Sequence, residues 1–291
     1  MDESNLRDLL RDVLGTDCQV TGCTLLKDRP SYRVWKVDLR RPTLSLVVKL
    51  AGEASQYASS FERTAAIHRL VRENTAIPMP EVLLAGPAGP WRAFIKTFIP
   101  GQELAAIRPA LSGEETRAVQ AQVGDAVAQI HSIRLAGFGP IDAFGQVEDP
   151  RPAAEALEVH ARRIIPHPAD LDLFLAALEA RRHLFTNTEL ASLCHEDLHA
   201  HNIIFSHANK SWRLATILDF EKAWAGPRES DLARMDLWKM TADPFWQAYD
   251  ARLPLGPGYA QRRTLLQLLW CLEVAWDDAG HRATTAALLR E

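Results

Sequence analysis

Apolar positions change period several times along this chain, and each change marks an element. In MDESNLRDLLRDVLG, residues 1–15, Leu6, Leu9, Leu10, Val13 and Leu14 share one face at helical spacing, which predicts a capped amphipathic helix. The period then shortens to two. Segments 20–26, 32–39 (YRVWKVDL) and 44–50 (LSLVVKL) are short, β-branched or apolar, and divided by Asp28, Pro30 and Pro42; they predict a three-stranded meander. Residues 57–73 return to helical spacing with Phe61, Ala65, Ile67, Leu70 and Val71. Two more strands, 81–85 and 91–98, flank the turn Gly86-Pro87-Ala88-Gly89-Pro90.

Beyond Pro100-Gly101 the pattern is mostly helical. Amphipathic helices are expected over 113–133, 151–163 and 168–185, interrupted by the Gly/Pro-rich loop 137–150. Strand-like pieces at 190–194, 203–206 and 214–218 follow, and 228–291 is helical and rich in tryptophan. The expected fold class is α+β with two lobes. Residues 1–99 make a small lobe with an antiparallel sheet plus helix; residues 100–291 make a larger, mostly helical lobe.

Composition narrows the classes. The 291 residues are 47% hydrophobic and 24% charged with net charge −4, and no Lys/Arg run stands out, so neither nucleic acid nor membrane is an expected partner. No apolar stretch is long enough to cross a bilayer. Cys18, Cys23, Cys194 and Cys271 match no metal-ribbon spacing, and the first residues lack a secretion signal; a reducing cytoplasm is the expected location.

Candidate chemistry concentrates in CHEDLHAHN, residues 194–202, which supports two readings. HEDLH is a literal H-E-x-x-H, yet a zinc site of that type needs a helix to bring both imidazoles to one metal, and Ile203-Ile204-Phe205 favours extended backbone. The other reading is H-x-D-x-x-x-x-N. Phosphoryl transfer needs positioning and charge neutralisation more than covalent help. Asp197 can orient the attacking hydroxyl, while Asn202 and Asp219, the latter ending the strand ATIL, can offer hard oxygens to Mg²⁺. Lys49 closes the apolar strand LSLVVKL, where a lone ammonium is expensive unless its charge is used, and Glu62 on the next helix is its expected partner. An edge-strand lysine that guards against aggregation is the duller reading of Lys49.

Val47-Val48-Lys49, Glu62, HEDLHAHN and ILDFE (217–221) resemble the aminoglycoside phosphotransferase and choline kinase superfamily, which shares the protein-kinase fold. PMPEVLLAG, FIKTFIPGQEL, QIHSIRLAGFG and WAGPRESDLARM add weaker echoes, so the resemblance runs from about residue 20 to residue 240. It implies transfer of the γ-phosphoryl of ATP or GTP, with Mg²⁺, to a hydroxyl of an aminoglycoside-type antibiotic or a metabolite alcohol. It also implies that backbone groups of Lys96, Thr97, Phe98 and Ile99 read the purine, and that His195 holds the loop. Three departures go with it: Glu196 stands where a small residue is usual, His201 where Gly is common, and the turn in LKDRPSYRV has no glycine, which leaves Ser31 and its flanking amides to cover phosphate. These departures motivate an alternative, a catalytically silent kinase-like nucleotide-binding protein. Glu221 reads equally as a contact to metal-bound water or a cap. Asp231 reads as a helix-start residue outside the site. Glu273, Asp277 and Asp278 around Trp276 read first as a solvated acidic face, and otherwise as an attractor for an amine.

Overall fold

The computed structural model describes residues 3–15, 17–52, 61–186, 190–274 and 279–290. Positions 57–60 of the predicted helix 57–73, together with Trp276, Asp277 and Asp278, lie outside them. The predicted meander is present as β1 (Gln19–Arg29), β2 (Tyr32–Arg41) and β3 (Leu44–Gly52), and the later pair as β4 (Val82–Ala88) and β5 (Trp91–Thr97). They form one antiparallel sheet in the order β1-β2-β3-β5-β4.

Register assigns each face of this sheet. Lys49 sits opposite Phe94 and Val47 opposite Lys96, so these four side chains share one face. Leu46, Val48, Leu50 and Ile95 take the other, where Leu6 and Leu10 of α1 (Glu3–Leu14) bury the stripe expected from the opening residues. Helix α2 (Phe61–Asn74) covers the first face: Phe61 packs on Phe94, while Ile67 and Val71 join the core of the helical region. The sheet and the helices are therefore tied through one amphipathic helix.

The chain leaves β5 through Pro100-Gly101. A Cβ on Gly101 would meet Phe205 O at 2.7 Å, so only glycine lets the crossing segment lie against the strand beneath it. The short β6 (Gln102–Glu103) and helix α3 (Leu104–Ile107), neither of which the pattern predicted, dock there. Helix α4 (Gly113–His131) starts from Ser112, whose hydroxyl accepts from Glu115 N while Glu115 reaches back to Ser112 N. Helices α5 (Ala153–Ile164) and α6 (Pro168–Arg181) follow, then β7 (Ser192–Cys194), the hairpin β8 (Ile203–Ala208) and β9 (Ser211–Ile217), and β10 (Trp224–Gly226). Four helices close the fold: α7 (Glu229–Leu237), α8 (Asp243–Arg252), α9 (Tyr259–Val274) and α10 (Ala279–Leu288). Among the described residues no helix is long and apolar enough to cross a membrane.

Candidate active site

Residues 195–202 connect β7 to β8 as a non-helical loop. Both nitrogens of His195 are engaged there: Nε2 with Leu218 O at 2.8 Å, and Nδ1 with Asp197 N at 3.2 Å. The helical H-E-x-x-H arrangement is therefore absent, and His195 is a brace for the loop.

The loop hangs from Asp231, which corrects the reading of that residue as a simple helix start. Asp231 is fully buried; its Oδ2 accepts from His195 N and its Oδ1 from Glu196 N, both at 2.7 Å. His131 Nε2 lies 3.0 Å from the same Oδ2, and Tyr249 Oη lies 2.9 Å from His131 Nδ1. Burial pushes the Asp231 carboxyl up, but His131 and the loop amides outweigh it and hold it below the usual carboxylate range. Burial likewise keeps His131 below its ordinary value, so a neutral imidazole donates to an ionised Asp231. His131, Cys194 and Asp231 place ligand-type atoms within 4.8 Å of one another, yet both Asp231 oxygens and both His131 nitrogens are occupied by protein groups. This is a hydrogen-bonded hub rather than a metal site. Length of separation hid it: the partners lie 35 and 36 residues away in sequence.

Leu218 is gripped from both sides. Its N–H donates to Asn202 O at 2.8 Å and its carbonyl faces His195 Nε2, so Asp219 is held beside the loop. Asp219 itself adopts a left-handed conformation (φ 68°), which directs it away from the strand path. Asn202 Nδ2 donates to Asp197 O at 3.0 Å, leaving the amide oxygen turned the other way. Asp197 is 23% exposed, with Lys222 Nζ at 3.7 Å and Arg234 Nη1 at 4.0 Å from its Oδ1.

Lys49 faces this group from the sheet. Its partner is Glu221, two residues after Asp219, and its ammonium stands 4.2 Å from the Tyr32 ring centroid. The expected Lys49–Glu62 pair is corrected accordingly: Glu62 points toward the β4–β5 end of the sheet, beside Gly86, and is taken by Arg92. Glu221 does more than cap a turn, since its backbone oxygen also accepts from Arg63 of α2. Ser31 sits in the two-residue turn between paired Arg29 and Tyr32, at the end of the sheet nearest Lys49. Of the four residues expected to read the purine, Thr97 N and Phe98 N already donate to Glu81 O and Ser45 O. Ile99 N–H has no acceptor among the described residues.

Two features escaped the sequence reading. The Lys96 side chain lies on the cleft face of the sheet, where burial pulls its pKa down to about 8 against the opposing pull of Asp219 and Glu221. The signal was available, since AFIKTFI is a second apolar strand with a lone lysine. A column of rings also crosses the cleft. His195 packs on Phe220 (4.4 Å between centroids), Phe220 on His68 (5.7 Å) and His68 on Phe94 (5.5 Å).

Glu196 explains its own departure from the family pattern. Its φ of 63° is the conformation that favours a small residue, and the bond to Asp231 holds it there. Its carboxylate is buried 3.5 Å from Arg234. Burial raises its pKa to about 7 despite Arg234, with Asp231 adding to the rise. The unfolded chain releases this proton near pH 4.3, so the native state binds more protons between there and about 7, and stability falls as pH rises through that window. Glu196→Gln should remove the fall and stabilise the protein at pH 8 by about 1–3 kcal/mol. Urea midpoints measured across pH check this; an unchanged pH dependence in the variant would assign the fall to other groups.

A five-stranded sheet with an inward lysine, set over an extended loop on a helical base, is a protein-kinase-like fold. The chain belongs to the phosphotransferase enzyme family APH, whose model matches residues 25–265. Similar solved structures share the fold. A protein assigned as a fructosamine-3-kinase from Haemophilus somnus 129PT has a TM-score of 0.68 at 16% identity, covering 98% of this chain and 95% of that one. The GDP and kanamycin complex of APH(2″)-IIIa gives 0.65 at 11% identity, covering 99% and 98%. An ethanolamine kinase from Plasmodium vivax gives 0.57 at 15% identity, covering 99% and 88%. No curated protein matches the chain significantly in sequence.

Proposed function

We propose that this chain is a small-molecule kinase, moving the γ-phosphoryl group of ATP or GTP, with Mg²⁺, onto a hydroxyl. The observation that carries the proposal is the double grip on Leu218, which gathers the loop and Asp219 opposite the Lys49–Glu221 pair. Asp197 accepts the hydrogen bond of the acceptor hydroxyl, orients its oxygen toward phosphorus and takes its proton as the new bond forms. Asn202, through the oxygen left free by its amide bond, and Asp219, with no hydrogen bond of its own among the described residues, form a hard-oxygen pair suited to Mg²⁺. When bound, that ion neutralises charge on the phosphates. Lys49 grips phosphate oxygens, with Glu221 rather than Glu62 holding its ammonium in the cleft. Ser31 and its turn cover the phosphates, and Ile99 N–H reads the purine edge, with Lys96, Thr97 and Phe98 lining the base.

A thermal-shift titration with Mg-ATP and Mg-GTP, followed by nucleoside-diphosphate release over a panel of hydroxyl compounds, tests the reading. Stabilisation by nucleotide with transfer to an acceptor supports it. Binding with no transfer to any hydroxyl would instead identify a silent nucleotide-binding module. Lys49→Ala should raise the KM for nucleotide about tenfold to hundredfold, the value of one or two charge-assisted hydrogen bonds. An unchanged KM would take Lys49 out of the phosphate site.

A further inference from the structure

A cavity of about 260 Å³ opens beside the loop, between α5, Trp224 and the turn that follows Asp219. Lys222 lines it and also stands 3.7 Å from Asp197 Oδ1. Glu221, the partner of Lys49, lines it as well. A molecule presenting a hydroxyl to Asp197 therefore has this space for the rest of its body.

The charges around the cavity are unevenly matched. Its carboxylates already have cations: Glu221 has Lys49, Glu273 has Lys222 and Arg234, and Glu196 has Arg234. Among the described residues, two of its guanidiniums have no carboxylate at ion-pair distance: Arg63 bonds to the carbonyl oxygens of Glu221 and Ala223, and Arg163 has no hydrogen bond or ion pair. Arg63 and Arg163 also feel each other: burial and then Arg163 pull the Arg63 pKa down, and the opposing pull of Glu221 and Glu148 does not cancel them. His160, three residues before Arg163 on α5, reports the same field: burial and then Arg234, Arg163 and Lys222 pull it down to about 3.

The remaining lining suits an uncharged, hydroxylated body. The neutral His160 ring stacks on Trp224 with centroids 4.0 Å apart and planes 4° from parallel. Glu196 and His160 line the cavity as polar residues among apolar ones, the setting in which hydroxyl groups find hydrogen-bond partners.

We propose that the acceptor is a hydroxyl compound bearing an anionic group, a carboxylate or a phosphate, which Arg63 and Arg163 seat while the cavity disfavours polycationic acceptors. The inference rests on the kinase reading only in using Asp197 to mark where the hydroxyl lies. Two like charges lining one cavity repel until an anion joins them, and a planar guanidinium binds carboxylate or phosphate through two parallel bonds. Glu273, the described part of the acidic stretch, cannot supply the opposite preference because Arg234 and Lys222 already neutralise it.

The test is calorimetric binding to the full chain, with and without Mg-ADP, of two sets matched in body and different in charge. One set is sorbitol, gluconate and glucamine; the other is glycerol, glycerate, glycerol 3-phosphate and serinol. The expected result is that an anionic member of at least one set binds about tenfold or more tighter than its cationic counterpart. Comparing glycerate with glycerol 3-phosphate separates carboxylate from phosphate. Arg163 is exposed, so its replacement should leave folding intact; Arg163→Gln should shrink the preference and Arg163→Glu abolish or reverse it. Tighter binding of the cationic members, no binding of any anionic member, or a preference unmoved by Arg163→Glu overturns the proposal. Loss of Mg-ADP binding would instead sink the kinase reading, and the charge comparison would still be readable on the nucleotide-free chain.

Discussion

Asp197→Asn is expected to lower phosphoryl transfer by about 10²–10⁴-fold, the range set by losing a positioned general base. The amide keeps the shape of the carboxylate but loses the proton acceptor. The loop should survive, because what holds it is backbone: Asp197 O accepts from Asn202 Nδ2 and Asp231 carries the amides of His195 and Glu196. Nucleotide affinity should stay nearly unchanged, since Lys49, Ser31 and Ile99 are untouched. Single-turnover rates alongside nucleotide titration make the separation, and a variant with near-normal turnover would move the base to another residue.

Asp231→Ala is expected to cost about 3–5 kcal/mol of folding stability, although its side chain lines no cleft. The substitution strips the acceptor from two buried amides and from His131, and buried donors left unmet cost more than the bonds themselves contributed. It also frees Glu196 from the one bond that holds its left-handed backbone. Activity per folded molecule should therefore fall as well, in kcat more than in KM for nucleotide. The pH dependence has a definite sign. The folded pKa of Asp231 is lowered, so its stabilisation is present above the unfolded value of about 3.9 and is lost only as acid carries the pH below that, down through the folded value. Urea denaturation from neutral pH into acid, wild type against variant, should show the gap closing there; a gap that persists in acid would show that packing, and not charge, is what Asp231 supplies.

Local patterning made most of the fold legible. β1 to β5, α1 and the long helices of the second half appear where period-two and helical spacing predicted them, because each buries a stripe that its own segment encodes. β6, β10 and α3 were missed, being only 2, 3 and 4 residues long and formed by docking rather than by pattern. At the site, the nearness of Asp197, Asn202 and Asp219 was legible because six consecutive residues hold the first two and a strand end delivers the third. Partner choice was not. Glu62 lay at a plausible spacing from Lys49, but the rotation of α2 on the sheet gave it to Arg92 and left Lys49 to Glu221, 172 residues away.

Spacing and residue type alone determined the order of elements, the loop with its acid and amide, and the lysine strand, since these depend on neighbours within a few residues. Tertiary structure alone decided which charges meet: Asp231 under the loop, Glu221 on Lys49, Arg234 between Glu196 and Glu273, and Arg63 and Arg163 on one cavity. The reason is physical. Backbone preference is a local energy, whereas the pairing of charged side chains depends on how packed elements are turned against one another, and no single segment contains that angle.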